Sequence, residues 1–387
     1  MSRDAIDLTN GIGRLLCDIS TPVAVIDAQK FERNCRRACG HVRALGSRLR
    51  PHMKTLKSAE AARIALDEHH GGIAVATLNE ARYFGKRGFS DVCCAVCLPP
   101  EKLVTAAHLV ESGIQLSFFV DSLQVARGAA AQDARFGVWI EIDCGEHRTG
   151  VEPDSPELLE IVEAIVSGSQ TTFMGVATHA GHSYACRTIE AIREVAERER
   201  VAAVEAADRL REAGFSVPNV SVGSTPTMIH AASAVGITEV RAGVYMAGDL
   251  VQAALGSLNV DDIAFSVLAT VISMRRERRQ IVLDVGGLAL SKDRGTQATA
   301  HDYGYGLVTD SFGNRVFGEL TIHEVHQEHG EIINVPDAVL DQLRIGSKVR
   351  ILPNHVCMTA AMYDQLLVVD SDEQVVQAVW GRTNGWS

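Results

Sequence analysis

Side chains able to do chemistry concentrate in a few short runs of this 387-residue chain. The first is Arg50-Pro51-His52-Met53-Lys54-Thr55, which ends a strand-like stretch over residues 47–54. A lysine amine held there among polar neighbours can have its pKa lowered and attack a carbonyl carbon to form a Schiff base. A solvated strand-end lysine is the alternative, and helical spacing sends the neighbouring Lys57 outward. Two further strand ends repeat the pattern: Asp143, His147 and Arg148 follow one, and His179, His182 and Tyr184 follow the next. In the run Ser221 to Thr227, the turn Gly223-Ser224-Thr225 leads into a helix and offers N–H groups and hydroxyls to an anion. Ser224 or Thr225 acting as a plain helix cap, with Pro226 at the first helical position, explains the same letters equally well. A second glycine turn, Arg241-Ala242-Gly243-Val244-Tyr245, can supply more amide donors.

Donors suited to metals lie elsewhere. His355 and Cys357, in Pro353-Asn354-His355-Val356-Cys357, point the same way if the segment is extended, and zinc best matches an imidazole with a thiolate. Two local ligands leave positions for water or substrate, the arrangement of a catalytic rather than a structural ion; a chance pairing is the alternative. Cys94-x-x-Cys97 has redox spacing, but its Val- and Ala-filled strand makes these buried thiols. The stretch from His323 to His329 is rich in histidine, yet on a strand its rings would not share one side, which suits a supporting role as well as a ligating one.

The elements that must position these groups follow a βα rhythm. Short β-branched runs at 21–27, 47–54, 71–77, 90–97, 114–121, 137–143, 173–180 and 217–223 alternate with amphipathic stretches, the clearest over 190–214. Eight such units make a parallel (β/α)8 barrel; a doubly wound sheet is disfavoured because no glycine-rich dinucleotide fingerprint follows the first strand. After residue 262 the pattern becomes β-rich with close turns. The expected divisions are an N-terminal segment (1–20) packing on the β domain, the barrel (21–262) and a mostly antiparallel β domain (263–387).

Composition excludes several classes. With 46% hydrophobic and 22% charged residues the chain builds a core rather than remaining disordered. Thirty-seven basic against 48 acidic residues, a net charge of -11, repel nucleic acid while leaving room for an anion in a local basic pocket. The first twenty residues do not read as a signal peptide and no apolar run suits a membrane span, so a cytoplasmic chain is expected. Nine scattered cysteines, an odd number, fit no disulfide framework.

The runs RPHMKT, TPVAVID, SVGSTPT, EVRAGVY and PNHVC, in that family's order along nearly the whole chain, resemble the D-serine dehydratase and D-threonine aldolase group of fold-type III pyridoxal 5'-phosphate enzymes. VWIEIDCGEHRTGV, DVGGLALSKDRGT and HDYGYG look closest to its D-threo-3-hydroxyaspartate dehydratase branch. The resemblance implies an alanine-racemase-like barrel whose Lys54 carries the cofactor. Arg148 approaches the cofactor ring, and His52, His179 and Tyr184 lie around cofactor and substrate. Gly223, Ser224, Thr225, Gly243, Val244 and Tyr245 fall at the phosphate cradle, and His355 and Cys357 match the metal pair, zinc first with manganese, cobalt or magnesium as substitutes. Resemblance further implies a homodimer acting on a D-3-hydroxy amino acid, by dehydration to a 2-oxo acid and ammonia or by retro-aldol cleavage to glycine and an aldehyde. A cysteine at the second metal position favours dehydration. A non-catalytic cofactor-binding barrel would lack residues 263–387, and a racemase would not need the metal pair.

Overall fold

The computed structural model describes residues 8–66, 71–371 and 374–386. Contacts divide the chain into two compact units, Arg36–Gly243 on one side and the described residues up to Cys35 with Val244–Asn384 on the other. In the first, eight strands run parallel: β2 (Arg48–Pro51), β3 (Ile73–Val75), β4 (Asp91–Cys97), β5 (Gln115–Val120), β6 (Gly137–Glu141), β7 (Thr172–Ala177), β8 (Val220–Val222) and β9 (Glu239–Ala242). Their order is β2-β9-β8-β7-β6-β5-β4-β3, and a bridge between His52 and Ala74 closes the ring, with the Met53 N–H donating to the Ala74 carbonyl at 2.8 Å. The strands read as apolar runs because helices cover their outer side while side chains fill the inside. Ala74, Cys93, Phe119, Trp139 and Ala177, one from each of β3 to β7, form a buried cluster there. The Arg241 guanidinium reaches the same cluster, 5.0 Å from the centre of the Phe119 ring.

Two strand readings are corrected. The first β-branched run is a strand, β1 (Val23–Asp27), but not a barrel strand: it pairs antiparallel with β10 (Phe265–Arg275) and parallel with β16 (Gln365–Val369). The eighth barrel strand is instead β9, whose Glu239 and Arg241 hide a strand in what reads as a polar turn.

β1 therefore belongs to the second unit. The remaining strands there are β11 (Gln280–Leu283), β12 (Leu307–Thr309), β13 (Glu324–Val325), β14 (Gly330–Ile332), β15 (Lys348–Leu352) and β17 (Val376–Gly381). The sheet runs β13-β14-β11-β10-β1-β16-β17, with β15 joining β12 to β10, and all pairs except β1 with β16 are antiparallel. Leu16, Ile19, Val23, Val25, Leu268, Leu367, Val369 and Val376 make one of its buried clusters. Upstream of β1, the Gly13 and Leu16 N–H groups donate to the carbonyls of Val376 and Gln374 at 2.8 and 3.0 Å. Among the described residues, no helix is long and apolar enough to cross a membrane.

Candidate active site

In the barrel unit the chemistry-bearing groups gather where the parallel strands end, the face that carries active sites in this architecture. β2 stops at Pro51, and Lys54 stands exposed in the turn that follows, its N–H 3.4 Å from His52 Nδ1. Lys57, expected to point outward from a helix, does not. Its backbone is left-handed (φ 51°) and its ammonium pairs at 3.1 Å with the fully buried Glu80 carboxylate, so it is a structural cation.

β7 delivers His179. Its Nδ1 lies 2.8 Å from the Gly223 carbonyl, which only accepts, so Nδ1 carries the hydrogen and Nε2 keeps its lone pair. Burial, then the charge of Lys54 with those of Arg148 and Arg241, pushes His179 down to about 3, and it is neutral at pH 7. Burial followed by Lys54, Arg241 and His179 likewise holds His52 well below the ordinary histidine range. Three cations thus act on one neutral imidazole in a chain that is acidic overall, which fits an anionic group. Arg148 is exposed at the rim, 3.3 Å from Glu146, and Tyr184 is half-buried in the turn Gly181–Ala185.

Ser224, not Thr225, caps the helix Thr225–His230 in a capping box with Thr227, and Pro226 stands at its second position rather than its first. Among the described residues the buried Thr225 hydroxyl finds no hydrogen-bond partner, and a phosphate oxygen would satisfy it. Gly223 sits at φ 133°, and a Cβ on it would collide with the Arg241 backbone; one on Gly243 would strike the His52 carbonyl. Val244 and Tyr245, expected beside Gly243, fall in the other unit as a buried 3-10 turn.

Beneath these loops runs a buried polar network that sequence reading left unassigned. Glu239 accepts from Arg50 Nε at 2.9 Å and from the Ser221 hydroxyl at 2.8 Å; Arg50 also meets Asp91 at 2.9 Å, and Arg241 donates to Ser221 and to the Thr178 carbonyl. The Cys94 and Cys97 thiols are pushed up by burial, and Cys97 donates to Glu141 at 3.0 Å, which favours the thiol over the reactive thiolate at both.

The second unit holds the candidate metal pair. His355 and Cys357 do not lie on an extended segment: His355 precedes the helix Val356–Ala360 and Cys357 lies in its first turn. Their side chains nonetheless hydrogen bond to one another. Asp249 explains why the turn is fixed. One of its carboxylate oxygens accepts the Val356 N–H at 3.0 Å, between the two donors, and the other accepts the Gln252 N–H at 2.8 Å. Burial pushes Asp249 up to about 6. His355 Nδ1 points at Asp293 Oδ2, 2.8 Å away, which leaves Nε2 as the ring nitrogen that could ligate an ion, as in a carboxylate–histidine–metal arrangement. Burial alone would lower His355, but Asp293, Cys357 and Asp249 raise it to about 10, a proton that a metal would displace. Sequence reading missed Asp249 and Asp293 because both are remote from the pair; the only signal was Asp293 within SKDRGT. The histidine-rich stretch forms the exposed β13–β14 hairpin, where His326 pairs with Glu331 at 3.0 Å.

Two family models match the chain: the alanine racemase N-terminal domain over residues 26–251 and a putative serine dehydratase domain over 264–369. D-threo-3-hydroxyaspartate dehydratase of Delftia sp. (strain HT23) is 41% identical over 96% of this chain and 99% of that protein. D-serine dehydratase of Dictyostelium discoideum is 32% identical over 93% and 96%, and D-threonine aldolase of Arthrobacter sp. 29% over 95% and 93%. The solved structure of the Delftia enzyme superposes with a TM-score of 0.92 at 41% identity, covering 96% of this chain and 100% of that one. A cysteine-to-alanine variant of D-threo-3-hydroxyaspartate dehydratase has been solved in a metal-free form.

Proposed function

Because this chain belongs to the fold-type III family that joins an alanine racemase N-terminal domain to a serine dehydratase domain, we propose that it is a pyridoxal 5'-phosphate- and metal-dependent lyase. It removes water from a D-3-hydroxy amino acid of the D-serine or D-threo-3-hydroxyaspartate type, giving a 2-oxo acid and ammonia. The observation that carries the reading is the imidazole–thiol pair His355 and Cys357 with its orienting carboxylate, a donor set for zinc in a unit separate from the lysine-bearing barrel. Greater identity to two dehydratases than to the aldolase supports dehydration over retro-aldol cleavage.

When bound, pyridoxal 5'-phosphate disperses the negative charge left at the substrate α-carbon, and the metal polarises the departing β-oxygen. Lys54 would hold the cofactor through Nζ, and that amine is the group that would accept the α-proton. Neutral His179 and His52 add no like charge beside the lysine, and His179 offers Nε2 as an acceptor. Arg148 and Arg241 keep the pocket cationic toward an anionic cofactor and substrate. The Thr225 hydroxyl, with the turns at Gly223, Ser224 and Gly243, receives the phosphate, and Tyr184 borders the same face. His355 and Cys357 hold the ion, with manganese, cobalt or magnesium as substitutes. The working form is a homodimer, and cysteines kept as thiols suit the cytoplasm.

The test is to incubate the purified protein with D-serine, D-threonine and both 3-hydroxyaspartates. Ammonia and a 2-oxo acid uphold dehydration, whereas glycine and an aldehyde replace it with the aldol reading. Borohydride reduction with peptide mapping should label Lys54; a label on Lys57 would overturn its assignment.

A further inference from the structure

The helix Ile189–Glu212 packs a stripe of Ile192, Val195, Ala196, Ala203, Ala206, Ala207 and Leu210, and Glu199 occupies the same stripe at 2% exposure. A carboxylate on an apolar seam must be satisfied, and this one is used fully. Glu199 Oε1 accepts the Ala180 N–H at 3.0 Å and the Gly223 N–H at 2.9 Å, and the Thr227 hydroxyl hydrogen bonds to the same carboxylate. Thr227 Oγ1 in turn accepts the Ser224 N–H at 3.0 Å. One side chain from the outer layer therefore ties the loop after β7 to the loop after β8.

At Gly223 the consequence is specific. Its N–H is held by Glu199 and its carbonyl by His179 Nδ1, so both faces of the residue are fixed at a backbone angle of φ 133° that other residues avoid. Ala180, which gives the other N–H, is the residue after His179. Glu199 thus controls His179 twice, through its chain neighbour and through its hydrogen-bond acceptor.

We propose that Glu199 is a positioning residue for cofactor capture: without touching the cofactor, it locks the Gly223 peptide and the Ala180 N–H so that His179 keeps its Nδ1–H form and the Gly223–Thr225 turn keeps the shape that receives phosphate. This rests on the cofactor reading above. Burial pushes Glu199 up, and the bonds from Thr227, Gly223 and Ala180 oppose that rise. What the loops require is one oxygen placed to accept both N–H groups. Glutamine, which keeps a carbonyl oxygen at the same reach, should substitute for it; aspartate, one methylene shorter, should not.

The experiment titrates the metal-loaded apoprotein with pyridoxal 5'-phosphate by protein fluorescence, alongside thermal unfolding of each variant. Glu199→Asp and Glu199→Ala should raise the Kd about tenfold or more, the loss expected when buried N–H groups are stranded, and Glu199→Gln should stay within about threefold of wild type. If Glu199→Ala is insoluble, Glu199→Asp carries the test. A Glu199→Asp protein whose Tm falls while its Kd stays within about threefold would make Glu199 a fold residue only and overturn the role, as would a Glu199→Gln protein as weak as the alanine variant. A wild-type chain that takes up no cofactor would overturn the functional reading itself; binding by wild type with no response to Glu199→Asp would overturn this inference alone.

Discussion

Asp293→Ala should weaken metal binding without touching either proposed ligand. The carboxylate lies 2.8 Å from His355 Nδ1, and their side chains are 31% and 38% exposed. A hydrogen bond to a charged group contributes about 1.5–3 kcal/mol, and partial exposure places this one at the lower end, about 1.5–2 kcal/mol. That predicts a zinc Kd about 10- to 30-fold higher, within the 10- to 100-fold range typical for removal of a ligand-orienting partner. Asp293→Asn keeps an acceptor and loses only the charge, so it should fall between the variant and wild type. The assay is competition for zinc against a chromophoric chelator, run without substrate. Cofactor affinity, measured separately, should not change, and because Asp249 still holds the Val356 N–H, the helix start should stay intact by circular dichroism. An Asp293→Ala protein that holds zinc within about threefold of wild type would show that Asp293 does not orient His355.

Chelation, or Cys357→Ala, should cut ammonia release by on the order of a thousandfold while leaving cofactor uptake unchanged; full release by metal-free protein would make the pair structural and sink the dehydration mechanism. Arg50→Met strands buried Glu239 and should cost about 3 kcal/mol at pH 7 in urea unfolding followed by fluorescence of the buried Trp139, since Ser221 and Arg241 remain and the half-exposed Asp91 adds little. Glu239 is held below its ordinary range, its burial outweighed by Arg50. Its contribution is therefore full above about pH 4.3 and lost as pH falls through the folded value, so the Arg50→Met deficit should shrink in acid; a deficit that does not change with pH would refute the pairing. Gly223→Ala forces a side chain into a left-handed backbone against Arg241 and should cost about 1–3 kcal/mol while weakening cofactor binding; wild-type stability and affinity would remove Gly223 from the cradle.

The barrel was legible because each buried parallel strand is a short apolar run between helical patterns. β1 misled because a strand buried on both faces reads alike in any sheet, and its partners, Leu268 and Leu367 among them, lie hundreds of residues away. β9 was obscured for the opposite reason: Glu239 and Arg241 are charged, and only the assembled ring reveals that they meet Arg50 and Ser221 inside it. Spacing singled out His355 and Cys357 as a candidate pair but assigned them the wrong backbone, since the turn is imposed by Asp249 from another segment. Lys57 was misread as outward because its left-handed φ breaks the helix on which that reading relied. Glu199 carried a readable signal, a carboxylate at the helical spacing of Val195, Ala196 and Ala203, that periodicity alone does not flag as functional.

The placement of β1 governs the order in which the protein is made. It is synthesised well ahead of its parallel partner β16, which ends at Val369, so β1 stays without that partner while more than 300 further residues are made. At about 5–20 residues per second that wait lasts tens of seconds. The barrel unit, contiguous from Arg36 to Gly243, has all its strands long before then and can close first. Until β10 is made the apolar VAVID strand has neither partner, and afterwards its β16 edge still stands open, the kind of edge that pairs with other nascent chains. Chains cut short before β16 should therefore aggregate through β1 even where the barrel is sound, and their recovery should depend on a chaperone that shelters the first thirty residues.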